Sequence, residues 1–131
     1  MIRPELRSLY SPDVPDLDLE HFAPDPPDDF LILVGASIGV AGEPGQDMFY
    51  FIVTTPRVLD RKIVDDGYLL PRHYLLLHRF DYDTLWSAIG NLCQQVETPD
   101  WPAAASRLAR YGQWEFEDYQ EEPDPRRGGE N

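Results

Sequence analysis

Cysteine and lysine each occur once, as Cys93 and Lys62. A lone cysteine excludes an internal disulfide framework and argues against a structural zinc site. No apolar run approaches the ~20 residues that a membrane-spanning helix requires. The N-terminus, M-I-R-P-E-L-R-S-L-Y, has neither an apolar core nor a small-residue cleavage site, so a soluble, cytoplasmic protein is expected. No G-K-[ST] occurs, which removes a phosphate cradle of the P-loop type. Bases are also scarce: 11 Lys plus Arg stand against 24 Asp plus Glu, for a formal net charge of -13. Nucleic acid and anionic lipid would be repelled by such a chain, while a basic protein would be attracted. Solubility alone is the plain alternative reading of that charge.

What is present suits one domain: 131 residues, 42% of them hydrophobic and 12% aromatic. Residues Ile2 to Tyr10 alternate weakly, with Arg3, Glu5 and Arg7 opposite Ile2, Leu6 and Tyr10, and Pro4 suits an edge strand. Five prolines between Ser11 and Phe30 exclude a long regular element there. An acidic loop is expected, with one short turn at Asp16 to His21. F-L-I-L-V-G-A-S-I-G-V and M-F-Y-F-I-V-T-T-P read as two strands joined by the turn-forming A-G-E-P-G-Q-D, a hairpin. The segment from Arg57 to Pro71 is amphipathic but short, with room for one or two helical turns before Gly67. His73 to Phe80 reads as another strand.

Asp81 is a good N-cap for a helix whose apolar stripe is Tyr82, Leu85, Trp86, Ile89, Leu92, Cys93 and Val96. T-P-D-W-P opens a second helix with Trp101, Ala104, Ala105, Leu108 and Tyr111 on one face and Gly112 as its C-terminal cap. Strands followed by helices, without βαβ alternation, indicate an α+β fold: a mainly antiparallel sheet with two C-terminal helices packed on one face. Residues 1–120 form the expected single domain, and the apolar-free 121–131 is an expected disordered tail.

Catalytic signals are thin. G-A-S-I-G matches the letters of a nucleophile elbow, but a helix must follow that serine, and I-G-V-A-G-E-P-G after Ser37 cannot form one. His73 and His78, five apart on an expected strand, would point to opposite faces. Cys93, on the helix stripe, reads as a small buried hydrophobe. D-V-P-D-L-D-L-E and D-P-P-D-D offer carboxylates, without the glycine-centred spacing of an EF-hand loop. No cofactor and no metal are expected.

Taken in order, D-D-F, S-I-G, F-x-F-x-V-x-T-P and W-E-F-x-D-Y form a succession from about residue 1 to Tyr119. That succession resembles the immunity protein 8 family of bacterial polymorphic toxin systems. The resemblance implies a non-enzymatic protein that binds and neutralises a cognate toxin domain, with no contact motif to carry over. The charge of -13 fits a basic toxin, such as a nuclease whose cleft an acidic inhibitor could occupy. Expected partner contacts are Asp25, Asp28, Asp29, Asp65, Asp66, Glu115 and Glu117. Two other readings stay open. One is an acidic adaptor for another basic protein; the other is a metal-assisted hydrolase using Asp25, Asp28 or Asp29. In Y-G-Q-W-E-F-E-D-Y, Trp114, Phe116 and Tyr119 are expected to pack, leaving Glu115 and Glu117 exposed and Asp118 as a further candidate contact.

Overall fold

The structure, a computed structural model, describes residues 1–117. Asp118, Tyr119 and the expected tail at 121–131 lie outside the described residues. Strand β1 is Pro4–Tyr10, β2 Leu31–Val40, β3 Asp47–Thr54, β4 Tyr74–Leu76 and β5 Gln113–Trp114. Helix α1 is Pro56–Asp66, α2 Tyr82–Gln94 and α3 Trp101–Leu108. The acidic loop carries 3-10 turns at Pro15–Leu17 and Leu19–His21, where a turn was expected.

The expected β2–β3 hairpin forms in full, from Leu31 opposite Thr54 to Ile38 opposite Asp47. Pleating sends Ile32, Val34, Ala36 and Ile38 of β2 to one face with Phe49, Phe51 and Val53 of β3, all buried. The buried sides of α2 (Leu85, Ile89, Cys93) and α3 (Ala104, Ala105, Leu108) join the same core cluster. Asp81 caps α2 as expected, accepting from Thr84 N–H at 3.1 Å.

Several expectations need correction. The sheet is mainly antiparallel, as expected, with one exception: strands run in the order β1-β2-β3-β4, and β4 pairs parallel to β3. A parallel neighbour requires a crossover, and α1 supplies it, so β3–α1–β4 is a βαβ unit where none was expected. α2 and α3 are the two C-terminal helices expected, and α1 adds a third before them. α1 outgrows the expected one or two turns, at 11 residues, because both its ends are capped. Thr55 accepts from Val58 N–H at 3.4 Å, and Pro56 opens the first turn. Gly67, at φ 87°, adopts the left-handed conformation and returns its N–H to Ile63 O at 2.7 Å.

β4 stops at Leu76 because the chain then turns to bury Leu77, and Phe80 N–H bonds Pro27 O at 2.8 Å. His73 and His78 thus lie off the strand, and the opposite-face argument does not apply to them. Trp86 leaves the core stripe and instead lines an open cavity of about 490 Å³ with Arg7, Ser8, Leu9, Glu20 and Tyr82. Tyr111 is exposed and beyond α3, whose C-cap is Ala109. Gly112 is needed for a different reason than capping: a side chain there would strike the Phe51 ring.

In β1 the register shifts between Leu6 and Ser8, a bulge that leaves Arg7 unpaired. The slip puts Leu6 opposite Ile38 but Tyr10 opposite Gly35, so Leu6 and Tyr10 do not share a face. The freed Arg7 guanidinium donates to the carbonyls of Val40 (2.7 Å), Glu43 and Gly45 (3.0 Å), clamping the hairpin loop.

Candidate functional site

Ser37 and His73 are engaged by other parts of the fold. Ser37 is buried and shares a short hydrogen bond with the Ser8 hydroxyl across the β1–β2 ladder. His21 bonds the Asp18 carboxylate on the open surface, and each holds the other's charge: hydrogen bonding lowers Asp18 and raises His21. His73, mostly buried, lies 3.2 Å from Ala109 O and 3.9 Å from the Glu117 carboxylate. Burial pushes the Cys93 thiol up to about 11, so it is a poor nucleophile at neutral pH. Among the described residues no three His, Cys, Asp or Glu side chains are grouped to hold a metal ion.

Of the seven expected contact carboxylates, four have internal partners. Asp28 accepts from Arg57 at 2.8 Å. Asp29 takes a two-pronged grip from Arg61, one arm at 3.0 Å, and those hydrogen bonds lower its pKa. These two pairs fasten α1 to the end of the acidic loop. Arg57 and Arg61 stand four apart, so one helical face presents both guanidinia to the adjacent aspartates. That match of D-D to R-x-x-x-R was present in the sequence and went unread.

Glu115 accepts from Met48 N–H at 2.9 Å, while its own N–H bonds Met48 O at 3.0 Å. Glu117 accepts from Arg72 at 2.9 Å, and its side chain is only 17% exposed, contrary to the expectation of a free carboxylate. Asp25, Asp65 and Asp66 are exposed, and no hydrogen bond or ion pair engages their side chains among the described residues. The seven are therefore not one cluster. They divide between the α1–loop junction, the end of α1 and the β5 corner.

The aromatic segment near Tyr111 belongs to that corner. β5 pairs antiparallel with β3, Phe49 opposite Trp114. Trp114 stacks on Phe49 with centroids 6.5 Å apart, and its indole N–H donates to Asp47 Oδ2 at 3.0 Å. Phe116 departs from expectation: it packs edge-on to Trp114 at 5.5 Å yet stays 45% exposed. Two residues of β5 are too few to fold a second aromatic under the sheet.

One surface went unnoticed in the sequence. Ile63, Val64, Tyr68 and Leu70 are all exposed, Val64 by 73% and Leu70 by 84%. They lie on the last turns of α1 and the chain that follows Gly67. α1 fully buries only Val58, which stands outside the main core cluster.

No helix among the described residues is long and apolar enough to cross a membrane. Comparison with known families finds a match to the model described as immunity protein 8, over residues 5–119. No curated protein and no solved structure matches the chain.

Proposed function

Because the chain belongs to the immunity protein 8 family, we propose that it binds a cognate toxin domain of a bacterial polymorphic toxin system and neutralises it by covering its working surface. The observation that carries this reading is the extent of the family match, residues 5–119 of 131. On this reading the protein acts in the cytoplasm, by contact and without chemistry of its own. Ser37, His73 and Cys93 are committed to packing and internal hydrogen bonds, which fits a binding protein better than an enzyme.

The charge of -13 bears on which toxin it meets. A nuclease must attract phosphates with a basic cleft, and carboxylates can take the places those phosphates would hold. We assign the toxin to that basic class. Asp25, Asp65 and Asp66 are its first candidate contacts, since no hydrogen bond or ion pair holds their carboxylates among the described residues. Asp28, Asp29, Glu115 and Glu117 rank behind them, because each would have to share an existing partner. Residues 1–120 act as one binding domain.

The test is a co-expression rescue. The C-terminal domain encoded by the adjacent toxin gene is expressed with and without this protein, and growth is scored. Rescue, together with a stoichiometric complex on gel filtration, is the expected result. A toxic domain whose effect this protein leaves unrelieved overturns the pairing and favours the acidic adaptor reading.

A further inference from the structure

We infer that the toxin domain docks on the end of α1 and the turn after it, Ile63–Leu70, with Val64, Tyr68 and Leu70 as apolar anchors and Asp65 and Asp66 as charged contacts. The inference rests on the function proposed above. Single exposed apolar side chains are ordinary. Here, however, Ile63, Val64, Tyr68 and Leu70 come from eight consecutive residues. Gly67, at φ 87°, turns the chain sharply between the first two and the last two. The helix end and the turn thus expose four apolar side chains within one short stretch of chain, with Asp65 and Asp66 between them.

A second observation is independent of exposure. α1 has no acidic residue in its first turn and no basic residue in its last. Its final two residues are Asp65 and Asp66, beside carbonyls that carry the negative end of the helix dipole. Asp66 therefore opposes the fold that holds it, and Asp65 opposes the helix dipole while drawing on an attraction to Arg61 one turn earlier. Local rules are broken in this way where a surface serves something other than stability.

Charge selects the occupant. The arginines nearby are spent internally: Arg57 on Asp28, Arg61 on Asp29 and Arg72 on Glu117. Arg61 also attracts Asp65, which leaves Asp60 and Asp66 facing Lys62, so the apolar anchors sit in a frame with more acid than base. Two copies of a chain carrying -13 would bring like charges together on this face. A partner with an apolar depression framed by Lys and Arg fits both features, and the basic toxin domain is such a partner.

The test uses the purified toxin domain encoded by the adjacent gene, titrated against the full chain and two double variants. One is Val64→Ser with Leu70→Ser; the other is Asp65→Asn with Asp66→Asn. The apolar variant is expected to bind about thirtyfold more weakly, the loss of a hot spot. The Asn variant is expected to bind at least ~tenfold more weakly and yet to melt at a higher temperature than the wild type. A merely structural role would not produce that opposition. Tyr111→Ser, exposed but outside the surface, keeps wild-type affinity. If the wild type binds and both double variants bind equally well, the surface is wrong and the function stands. If the wild type does not bind, both fall. Concentration-dependent dimers abolished by the apolar variant would assign the surface to a second copy and overturn the inference.

Discussion

Asp47 stands at the first position of β3 and accepts two indole N–H bonds on one oxygen, from Trp101 at 2.8 Å and from Trp114 at 3.0 Å. One carboxylate therefore ties the start of α3 and the short β5 to the central hairpin. β5 has only two residues of its own and could not hold its place by ladder bonds alone. Asp47→Ala would leave two partly buried donors unsatisfied. The expected cost is about 3 kcal/mol, taking each of the two bonds to a charged acceptor at the lower end of its range, ~1.5 kcal/mol. Asp47→Asn keeps an acceptor oxygen and should lose less. Urea unfolding followed by tryptophan fluorescence measures both; an Ala variant as stable as the Asn variant would show that the convergence on Asp47 contributes little. Nothing in the local sequence around Asp47 announces this role, because both donors are more than fifty residues away: 54 for Trp101 and 67 for Trp114.

α1 is held by its caps and by two ion pairs more than by burial, and that makes its attachment sensitive to pH. The Arg61 hydrogen bonds hold the Asp29 carboxyl below its ordinary 3.8. A depressed carboxyl contributes stability above its unfolded pKa and loses it as the pH falls through the folded value. Asp29→Asn should therefore lower the melting temperature at neutral pH, by the modest amount an exposed pair supplies. The gap to the wild type should close as the pH is taken down through the carboxylate range. A gap that persists at acid pH would mean that the side chain's shape matters, and its charge does not. The same helix marks where sequence reading works and where it stops. The hairpin and α2 were legible because their apolar periodicity is long, and Asp81 because a cap acts within one turn. α1 was underread because its residues are mostly polar, and because part of what holds it, the pairs with Asp28 and Asp29, comes from some thirty residues earlier (Asp29 to Arg61 spans 32). β4 is shorter than the expected strand for a related reason: its length and direction depend on the crossover and on burying Leu77. At the contact surface, the sequence displayed the acids but could not show which were already paired.

Over the whole molecule, the charge of -13 acts at distances that no single pair does. Six of the 24 acids have an ion-pair partner among the described residues, so pairing there neutralises only a part of the negative charge. An approaching basic domain is attracted before any anchor touches it, whereas the apolar anchors act only once water is displaced. The two contributions should separate in the kinetics. Raising the ionic strength from about 0.01 M to about 0.1 M shrinks the screening length from ~30 Å to ~10 Å, short of the distance over which steering works. The association rate with the toxin domain should then fall by about tenfold or more, while dissociation changes little. Loss of the apolar anchors at Val64 and Leu70 should do the reverse, leaving association nearly intact and speeding dissociation. Stopped-flow association and surface-bound dissociation measure the two rates separately. An association rate indifferent to salt would remove electrostatic steering from the account, and the acidity of this chain would then be a property of its solubility, with recognition left to Ile63–Leu70.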